Sequence, residues 1–311
     1  MADPLNFPPD SDLKWFGAPT PDDAARASRH PIGIVHPGQM GAAVGASLVA
    51  AGAEVMWCSD GRSAETAARA EACGLIDTGW INGLVNRSHM VLSICPPDVA
   101  EEVAEEITML GYSRLYVDAN AIAPTTARRI AERIEQTGAD FVDAGIIGGP
   151  PTKPGTTRMY LSGPEAPRAA RMLVGGPLEI IVLEGPVGAA SALKMAYAAW
   201  TKGTSALLAN IEALATVDGV HGALHAEWAR SQPELIKRSE GLGTAAAKAW
   251  RWIGEMEEIA ATFEAAGLPS GVHEAAAEIY RALAPFKDDP DAPGGAELAR
   301  FLVDRMQEAK R

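Results

Sequence analysis

The sequence predicts an α/β protein in which a doubly wound, mostly parallel sheet is followed by an all-α domain. Short β-branched runs alternate with Ala-rich helical stretches from residue 31 to about residue 185, and the chain beyond that point reads as helical. The strands are continuous apolar runs, which is typical of parallel strands covered by helices on both faces. The 311 residues are enough for about two domains. We expect an N-terminal extension at 1–30, a sheet domain at 31–185 and a helical domain at 186–311.

Five strands are predicted at the start of the sheet domain, with helical patterns between them. They are IGIVH from Ile32, EVMWCS from Glu54, MVLSIC from Met90, RLYVDAN from Arg114 and DFVDAGII from Asp140. The helix after the fourth strand has Pro124 in its first turn and Gly138 just past its end. Two further strand-like runs, TRMYLSG and LEIIVLEG, finish near Gly185, and a long helical pattern begins after Gly188.

Composition and charge exclude several classes of protein. With 27 Lys and Arg against 40 Asp and Glu, the net charge of −13 is opposite to that of a nucleic-acid binder. The three cysteines, Cys58, Cys73 and Cys95, exclude a full disulfide framework and favour a reducing compartment. The first thirty residues lack the pattern of a targeting signal. The uncharged stretch 30–53 contains Pro and Gly breaks, so we interpret it as a buried strand–turn–helix rather than a membrane span. We expect a cytoplasmic protein.

The turn after the first predicted strand carries most of a dinucleotide-binding fingerprint. That fingerprint is G-x-G-x-x-G, whose glycines allow the tight turn, the approach of a pyrophosphate and close helix packing. This chain has His36, Pro37, Gly38, Gln39, Met40 and Gly41, so His36 replaces the first glycine. The following helix N-terminus would offer N–H groups to phosphates. We predict that these six residues bind the cofactor in a Rossmann-type domain; the alternative is a tight turn that binds nothing.

The end of the second strand distinguishes NAD from NADP. An acidic residue there binds the ribose hydroxyls of NAD, whereas Arg accommodates the 2′-phosphate of NADP. The sequence has Ser59 directly after the strand, followed by Asp60, Gly61, Arg62 and Ser63. We predict NADP, with Arg62 as a bidentate phosphate ligand and Ser59 and Ser63 as donors. Asp60 favours the alternative, NAD.

Five motifs then follow one another along the chain: GQMG, SICPP, VDANAIAP, DAGIIGGP with GTTRMYLSG, and GPVGAASALKMAY. In this order they resemble the β-hydroxyacid dehydrogenases, which have imine reductases as relatives. The resemblance covers about residues 31–285, and the helical half resembles a branch whose C-terminal domain has no assigned function. It implies hydride transfer between NADP and a hydroxyl or carbonyl carbon of a small hydroxy acid. It also implies a homodimer formed through the helical half.

The resemblance places the family's catalytic lysine at Lys194. This Lys lies among small and apolar residues of a helix, so burial would lower its pKa and suit it to general acid–base catalysis. The alternative is a lysine that extends along the helix to reach water. The family usually has Asn one turn later, where this chain has Tyr197 and Ala198. We predict that Tyr197 orients the substrate or donates a proton.

Other site residues follow from the same motifs. We predict that Cys95, through its backbone, and Pro96 contact the cofactor; the alternative is that the cysteines are core residues. The resemblance implies that Asn120 contacts the nicotinamide ribose or the substrate. The family's carboxylate-binding Ser before Gly-Gly is Ile147 here, followed by Gly148 and Gly149. Because that Ser is missing, a bulkier or less acidic substrate than a small hydroxy acid is an open alternative.

Two groups in the helical half are less specific. Lys248, Arg251, Trp252 and Glu255 share a helix face; we predict that Trp252 and Glu255 bind substrate, against the alternative of a solvated face. His221 and His225 have a spacing seen in metal sites. Since Glu227 or Asp218 would be the only evident third ligand, we interpret the two histidines as a capped or surface pair and expect no metal.

Two other functions remain open. The first, an imine reductase, would need a similar cofactor site. In imine reductases the position of the catalytic lysine is commonly occupied by another residue, so Lys194 argues against this function. Tyr197 argues for it. A non-catalytic NADP-binding regulator would bind the cofactor without turnover.

Overall fold

The computed structural model describes residues 13–16 and 30–308. Within these ranges nine strands form one sheet. They are β1 (Leu13–Phe16), β2 (Ile32–Ile34), β3 (Val55–Trp57), β4 (Ile76–Asp77), β5 (Met90–Ser93), β6 (Leu115–Asp118), β7 (Asp140–Gly148), β8 (Thr157–Ser162) and β9 (Leu178–Leu183). The sheet-domain helices are α1 (Gln39–Ala50), α2 (Ala64–Ala72), α3 (Ile81–Arg87), α4 (Ala100–Met109), α5 (Pro124–Glu135) and α6 (Ala166–Leu173).

The strand order is that of a doubly wound sheet. It runs β1-β9-β8-β7-β6-β5-β2-β3-β4, and every neighbour pair from β7 to β4 is parallel. The chain proceeds outward from β2 in one direction and restarts at β5 in the other, so the order reverses between β2 and β5. Ligands of open α/β sheets bind outside the carboxyl ends of the strands at such a point. The sequence-predicted fold class is confirmed.

Helices cover both faces of the sheet, and alternate strand residues enter two cores. Ile32, Leu92 and Val117 pack with residues of α1, α2 and α6. Val91 and Tyr116 pack on the opposite face with residues of α3, α4 and α5. This alternation explains why the strands are apolar at successive positions.

Two strands were missed by the sequence prediction, for different reasons. β4 consists of two exposed residues, which is too short for a recognisable apolar run. β1 lies within the predicted N-terminal extension and pairs antiparallel with β9, with Leu13 opposite Leu183. Part of that extension therefore belongs to the sheet, and the description of 1–30 as a tail is corrected for residues 13–16.

The second half is helical, as predicted. Its helices are α7 (Ala189–Val217), α8 (His221–Ser231), α9 (Pro233–Glu240), α10 (Leu242–Ala246), α11 (Ala249–Ala265), α12 (Gly271–Leu283) and α13 (Gly295–Glu308). The chain divides into two compact units after Lys194, within α7, rather than at residue 185. The difference arises because the first turns of α7 are bonded to β7 and β8, as described below. Among the described residues, no helix has the length and apolar character that crossing a membrane requires.

Helix α7 approaches β7 closely at Gly145. A Cβ atom at this position would lie 2.7 Å from the carbonyl oxygen of Ala190 and 3.0 Å from the Cβ of Lys194. Gly145→Ala should therefore lower the free energy of unfolding by about 1–3 kcal/mol, the usual cost of overpacking. Urea unfolding measures this change.

Gly149→Ala is the matched control, because its Cβ would have no neighbour within 4 Å. Equal stability of the two variants would contradict the close approach of α7 to β7.

Candidate functional site

The fingerprint turn has the geometry of an anion site. Gly38 caps α1 without a side-chain hydrogen bond, and the first turn of α1 contains no acidic residue. The space beside Gly38 is open, since a Cβ there would meet nothing within 4 Å. At Gly41 a Cβ would lie 2.3 Å from the carbonyl oxygen of His36, so only glycine permits this contact of helix and turn. The turn and the helix N-terminus fit a bound pyrophosphate.

His36, which replaces the first glycine of the fingerprint, is held as a neutral imidazole. Its Nδ1 is buried and has no hydrogen-bond partner among the described residues. Burial, together with the positive charge of Arg62, lowers its pKa to about 4. Because Arg62 contributes to this lowered pKa, its positive charge acts on the fingerprint turn from the loop that follows β3.

The loop after β3 presents Arg62 and uses its two serines structurally. The carboxylate of Asp77 accepts the backbone N–H of Ser59 at 3.1 Å and also interacts with its side chain. Ser63 caps α2, where its hydroxyl oxygen accepts the N–H of Thr66 at 3.2 Å. The Nε of Arg62 is buried and lacks a hydrogen-bond partner among the described residues. Of the three residues predicted to hold a 2′-phosphate, Arg62 is therefore the best placed to gain a ligand.

Asn120 joins the carboxyl ends of β5 and β6. Its Oδ1 accepts the backbone N–H of Cys95 at 2.6 Å, and its Nδ2 donates to the hydroxyl of Ser93 at 3.1 Å. Burial, with the charge of Asp118 second, raises the pKa of the Cys95 thiol to about 12, so this thiol stays protonated. Asn120 positions the turn of Cys95 and the exposed Pro96; its direct contact with cofactor or substrate stays a prediction.

The start of α7 is bonded to a buried carboxylate that the sequence analysis did not select. Asp143 of β7 is fully buried, and its Oδ2 accepts from the hydroxyl of Ser162 at 2.8 Å, the N–H of Gly188 at 2.9 Å and the N–H of Ser191 at 3.0 Å. Its Oδ1 accepts the hydroxyl of Ser191 at 2.5 Å. An acidic residue inside the apolar run DFVDAGII was the available signal. The carboxylate of Asp143 at the N-terminus of α7 also interacts favourably with the helix dipole.

Lys194 lies one turn after Ser191 and is half-buried. Its Nζ donates to the carbonyl oxygen of Ile146 at 2.8 Å. This bond holds the ammonium group beside the carboxyl-terminal end of β7. Lys194 and the fingerprint turn belong to the same compact unit.

The glycine pair after Ile147 shapes the turn between β7 and β8. Gly148 has φ +120°, and a Cβ there would lie 2.3 Å from the carbonyl oxygen of Thr156. The carbonyl oxygen of Gly149 accepts the hydroxyl of Thr157 at 2.6 Å. Ile147 itself is buried. These contacts explain the glycines by backbone geometry, and the substrate role of the three residues stays a prediction.

The other predicted substrate residues belong to the second unit. Tyr197 is exposed. Glu255 forms an ion pair with Lys202 in which both side chains are largely buried. Trp252 packs edge-on against Tyr280 at 5.3 Å between ring centroids. Packing within the helical unit accounts for Trp252 and Glu255, and their contact with a substrate stays a prediction.

Two family models match the chain. The model of the NAD binding domain of 6-phosphogluconate dehydrogenase matches residues 31–172. The model of a domain of unknown function (DUF1932) matches residues 215–283. The chain therefore contains an NAD-binding domain followed by a segment of the DUF1932 type.

Three proteins illustrate what the whole chain is similar to. An uncharacterised 28.5 kDa protein of Methanothermus fervidus is 31% identical over 189 residues, which are 60% of this chain and 69% of that protein. A solved protein of unknown function, described as structurally similar to 3-hydroxyacid dehydrogenases, is 27% identical with a TM-score of 0.60, covering 82% of this chain and 97% of its own. The Mycobacterium tuberculosis 3-hydroxyisobutyrate dehydrogenase with L-serine shares the fold, at 19% identity and a TM-score of 0.63, over 88% and 98% of the two chains.

The neutral state of His36 predicts a pH dependence of stability. Because its pKa is about 4 in the folded protein and 6.5 for an unperturbed histidine, the unfolded chain binds a proton first as the pH falls. Its contribution is present above about pH 6.5 and is lost towards about pH 4. His36→Asn should therefore lose less stability than the wild type between pH 7 and pH 4.5 in urea unfolding. Identical pH profiles for wild type and His36→Asn would contradict the neutral state of His36.

Proposed function

Because the chain belongs to the β-hydroxyacid dehydrogenase family, whose members are NAD(P)-dependent dehydrogenases and reductases, we propose that it is an NADP-dependent oxidoreductase with Lys194 as general acid and base. The observation that supports this most is the bond from Lys194 to Ile146, which holds the ammonium group in the unit that carries the cofactor turn. The proposed substrate is a small hydroxy acid or a related carbonyl compound.

The cofactor site is proposed to hold NADP rather than NAD. Gly38, Gly41 and the N-terminus of α1 would hold the pyrophosphate, and the buried Nε of Arg62 favours the 2′-phosphate. His36 stays neutral beside Arg62, so it adds no charge and fills the position of the first glycine. When bound, the cofactor supplies or accepts the hydride.

Lys194 is proposed to move the proton of the reaction at its Nζ. An ammonium group has three donors, and one of them is directed to the carbonyl oxygen of Ile146. We propose that the ammonium group also binds the substrate oxygen. As the ammonium ion, Lys194 would give that oxygen a proton in the reductive direction, and as the neutral amine it would take the proton in the oxidative direction. The backbone bond fixes the side chain so that little rotamer freedom is lost on binding.

Ile147 and Tyr197 bear on the substrate class. Ile147 stands where the family has a carboxylate-binding Ser, which favours a less acidic or bulkier substrate within the hydroxy-acid class. The exposed Tyr197 has a phenolic hydroxyl group that can donate a proton. This supports the second candidate function, reduction of a C=N bond. A regulator that binds NADP without turnover is the third candidate.

Replacing Lys194 tests the catalytic assignment. Lys194→Met should lower kcat by about 10²–10⁴-fold, the usual contribution of general acid–base catalysis, and leave the Kd for NADPH within about twofold. NADPH consumption with a panel of semialdehydes, keto acids and cyclic imines, together with a fluorescence titration, measures both values. Lys153→Met, in an exposed loop, is the control.

Three results would contradict the proposal. Cofactor binding by the wild type without turnover of any substrate would favour the regulator. Imine turnover that survives Lys194→Met would favour the imine reductase. Full dehydrogenase activity of Lys194→Met would remove Lys194 from the mechanism.

Replacing Arg62 tests the choice of cofactor. Arg62→Ala should raise the Kd for NADPH at least about tenfold, because a charge-assisted bond to phosphate contributes about 1.5–3 kcal/mol. The Kd for NADH should not change. Arg87→Ala, which removes an exposed arginine paired with Glu54, is the matched control. Tighter binding of NADH than of NADPH by the wild type would contradict the NADP proposal.

Helix α7 supports the proposal of a homodimer through the helical half. Trp200, Leu207 and Leu214 recur at intervals of seven, share one helix face and are each more than half exposed. Leu207→Glu with Leu214→Glu should convert the dimer to a monomer in sedimentation velocity. Thr201→Glu, at an exposed position off this face, is the control and should stay dimeric. A wild-type monomer at micromolar concentration would contradict the proposal.

We further propose that the protein works in the cytoplasm. The three cysteines are free, as expected of a reducing compartment.

A further inference from the structure

Three side chains converge where α7 ends and α8 begins, in the helical unit. Glu212 lies on α7, and His221 and His225 lie one turn apart at the start of α8. The Nε2 of His221 is 2.8 Å from Oε2 of Glu212, and the Nε2 of His225 is 2.9 Å from Oε1. All three residues offer one ligand atom within 4.8 Å of the others. Glu227 and Asp218, the two acidic residues whose sequence positions suggested a third ligand, are both exposed.

The burial of Glu212 demands a positive partner. Its side chain is 0% exposed, and an ionised carboxylate without compensation in such a place is very costly. Within the described residues, its ion-pair partners are the two histidines. The two imidazole rings stack with 4.2 Å between centroids. The buried carboxylate and the two ring nitrogens therefore form one compact cluster in the helical unit.

The geometry at His221 is that of a ligand rather than a hydrogen-bond donor. Although its Nε2 is close to the Glu212 carboxylate, this buried nitrogen makes no hydrogen bond with the described residues. His225 is fixed by packing, because its ring lies 5.4 Å from that of the buried Trp228. The two histidine nitrogens also share one carboxylate oxygen, since Oε2 of Glu212 lies 2.8 Å from Nε2 of His221 and 3.0 Å from Nε2 of His225.

We propose that Glu212, His221 and His225 bind a divalent transition-metal ion of the zinc class. Two imidazoles and a carboxylate form a three-residue set that zinc accepts, with a fourth position left for water or another ligand. Ligand atoms about 2.0–2.2 Å from a tetrahedral zinc lie roughly 3.3 Å apart. The two distances from Oε2 of Glu212 to the histidine nitrogens, 2.8 Å and 3.0 Å, would therefore lengthen by a few tenths of an ångström when an ion enters. The ion would compensate the buried carboxylate of Glu212.

Such an ion would tie the end of α7 to the start of α8. The connection between the two helices has only a few residues, from Asp218 to Val220, and the ion would brace it from the inside. The site shares no residue with the cofactor turn or with Lys194. Its proposed role is therefore structural, and it is independent of the proposed oxidoreductase activity.

A zinc titration tests the proposal. The full chain, without a histidine tag, is treated with a chelator and dialysed, and Zn²⁺ alone is then titrated at about pH 7.5 by isothermal calorimetry. We expect one equivalent bound per chain. Glu212→Gln and His225→Ala should weaken binding by more than about 100-fold, beyond the usual 10–100-fold effect of groups that only support a ligand. Glu227→Gln, an exposed acid on the same helix as the two histidines, is the matched control and should bind like the wild type.

If Glu212→Gln does not fold, a second metal ion and substitutions of the two partly exposed histidines still test the proposal. Co²⁺ should give the visible absorption of a tetrahedral site in the wild type and lose it in His221→Gln and His225→Gln, checked for folding by circular dichroism. Absence of stoichiometric binding, or binding that these substitutions leave unchanged, would overturn the proposal. A Tm that depends on pH but does not change when metal is added would also overturn the proposal. It would show that protonation, rather than a metal ion, controls the contact between the three side chains.

Discussion

The carboxylate of Asp143 is buried within β7, where it accepts four hydrogen bonds from Ser162, Gly188 and Ser191 and so determines where helix α7 starts. A buried charge of this kind is stable only because every donor is in place. Removal of one of these hydrogen bonds would leave the buried carboxylate of Asp143 incompletely compensated. The position of Lys194 follows from this anchor, since Lys194 lies one turn further on and reaches the Ile146 carbonyl of the same strand.

The net charge of −13 opposes an anionic cofactor, so binding must depend on local donors. The structure provides them at one edge of the sheet. The N-terminus of α1 has no acidic residue in its first turn, and Arg62 has a buried nitrogen without a partner among the described residues. Neutral His36 adds no charge to this group of residues, and Arg62 is a cation close enough to lower the pKa of His36.

The parts of the site that depend on chain-local pattern were predictable from sequence. The strand, the glycines at 38 and 41 and the helix that follows are neighbours in the chain, and the motif around Lys194 is continuous. Contacts between distant segments were not predictable. Asp143 and Ser191 are in contact although 48 residues separate them in the sequence. Glu212 and His221 are in contact from two different helices. Neither contact can be predicted from residue spacing. Ser59 and Ser63 fit a phosphate site by pattern, but their structural partners, Asp77 and Thr66, became evident only in the fold.

We propose that Asp143, by fixing the start of α7, positions Lys194 for proton transfer. The most direct test is kcat and KM of Asp143→Asn, compared with Asp140→Asn, an exposed acid on the same strand that pairs with Arg168. We expect that Asp143→Asn, where folded, lowers kcat at least about tenfold with the Kd for NADPH retained, because misplacement of a catalytic group by about 1 Å is costly. Asp140→Asn should match the wild type. A folded Asp143→Asn with unchanged kcat would contradict this role of Asp143.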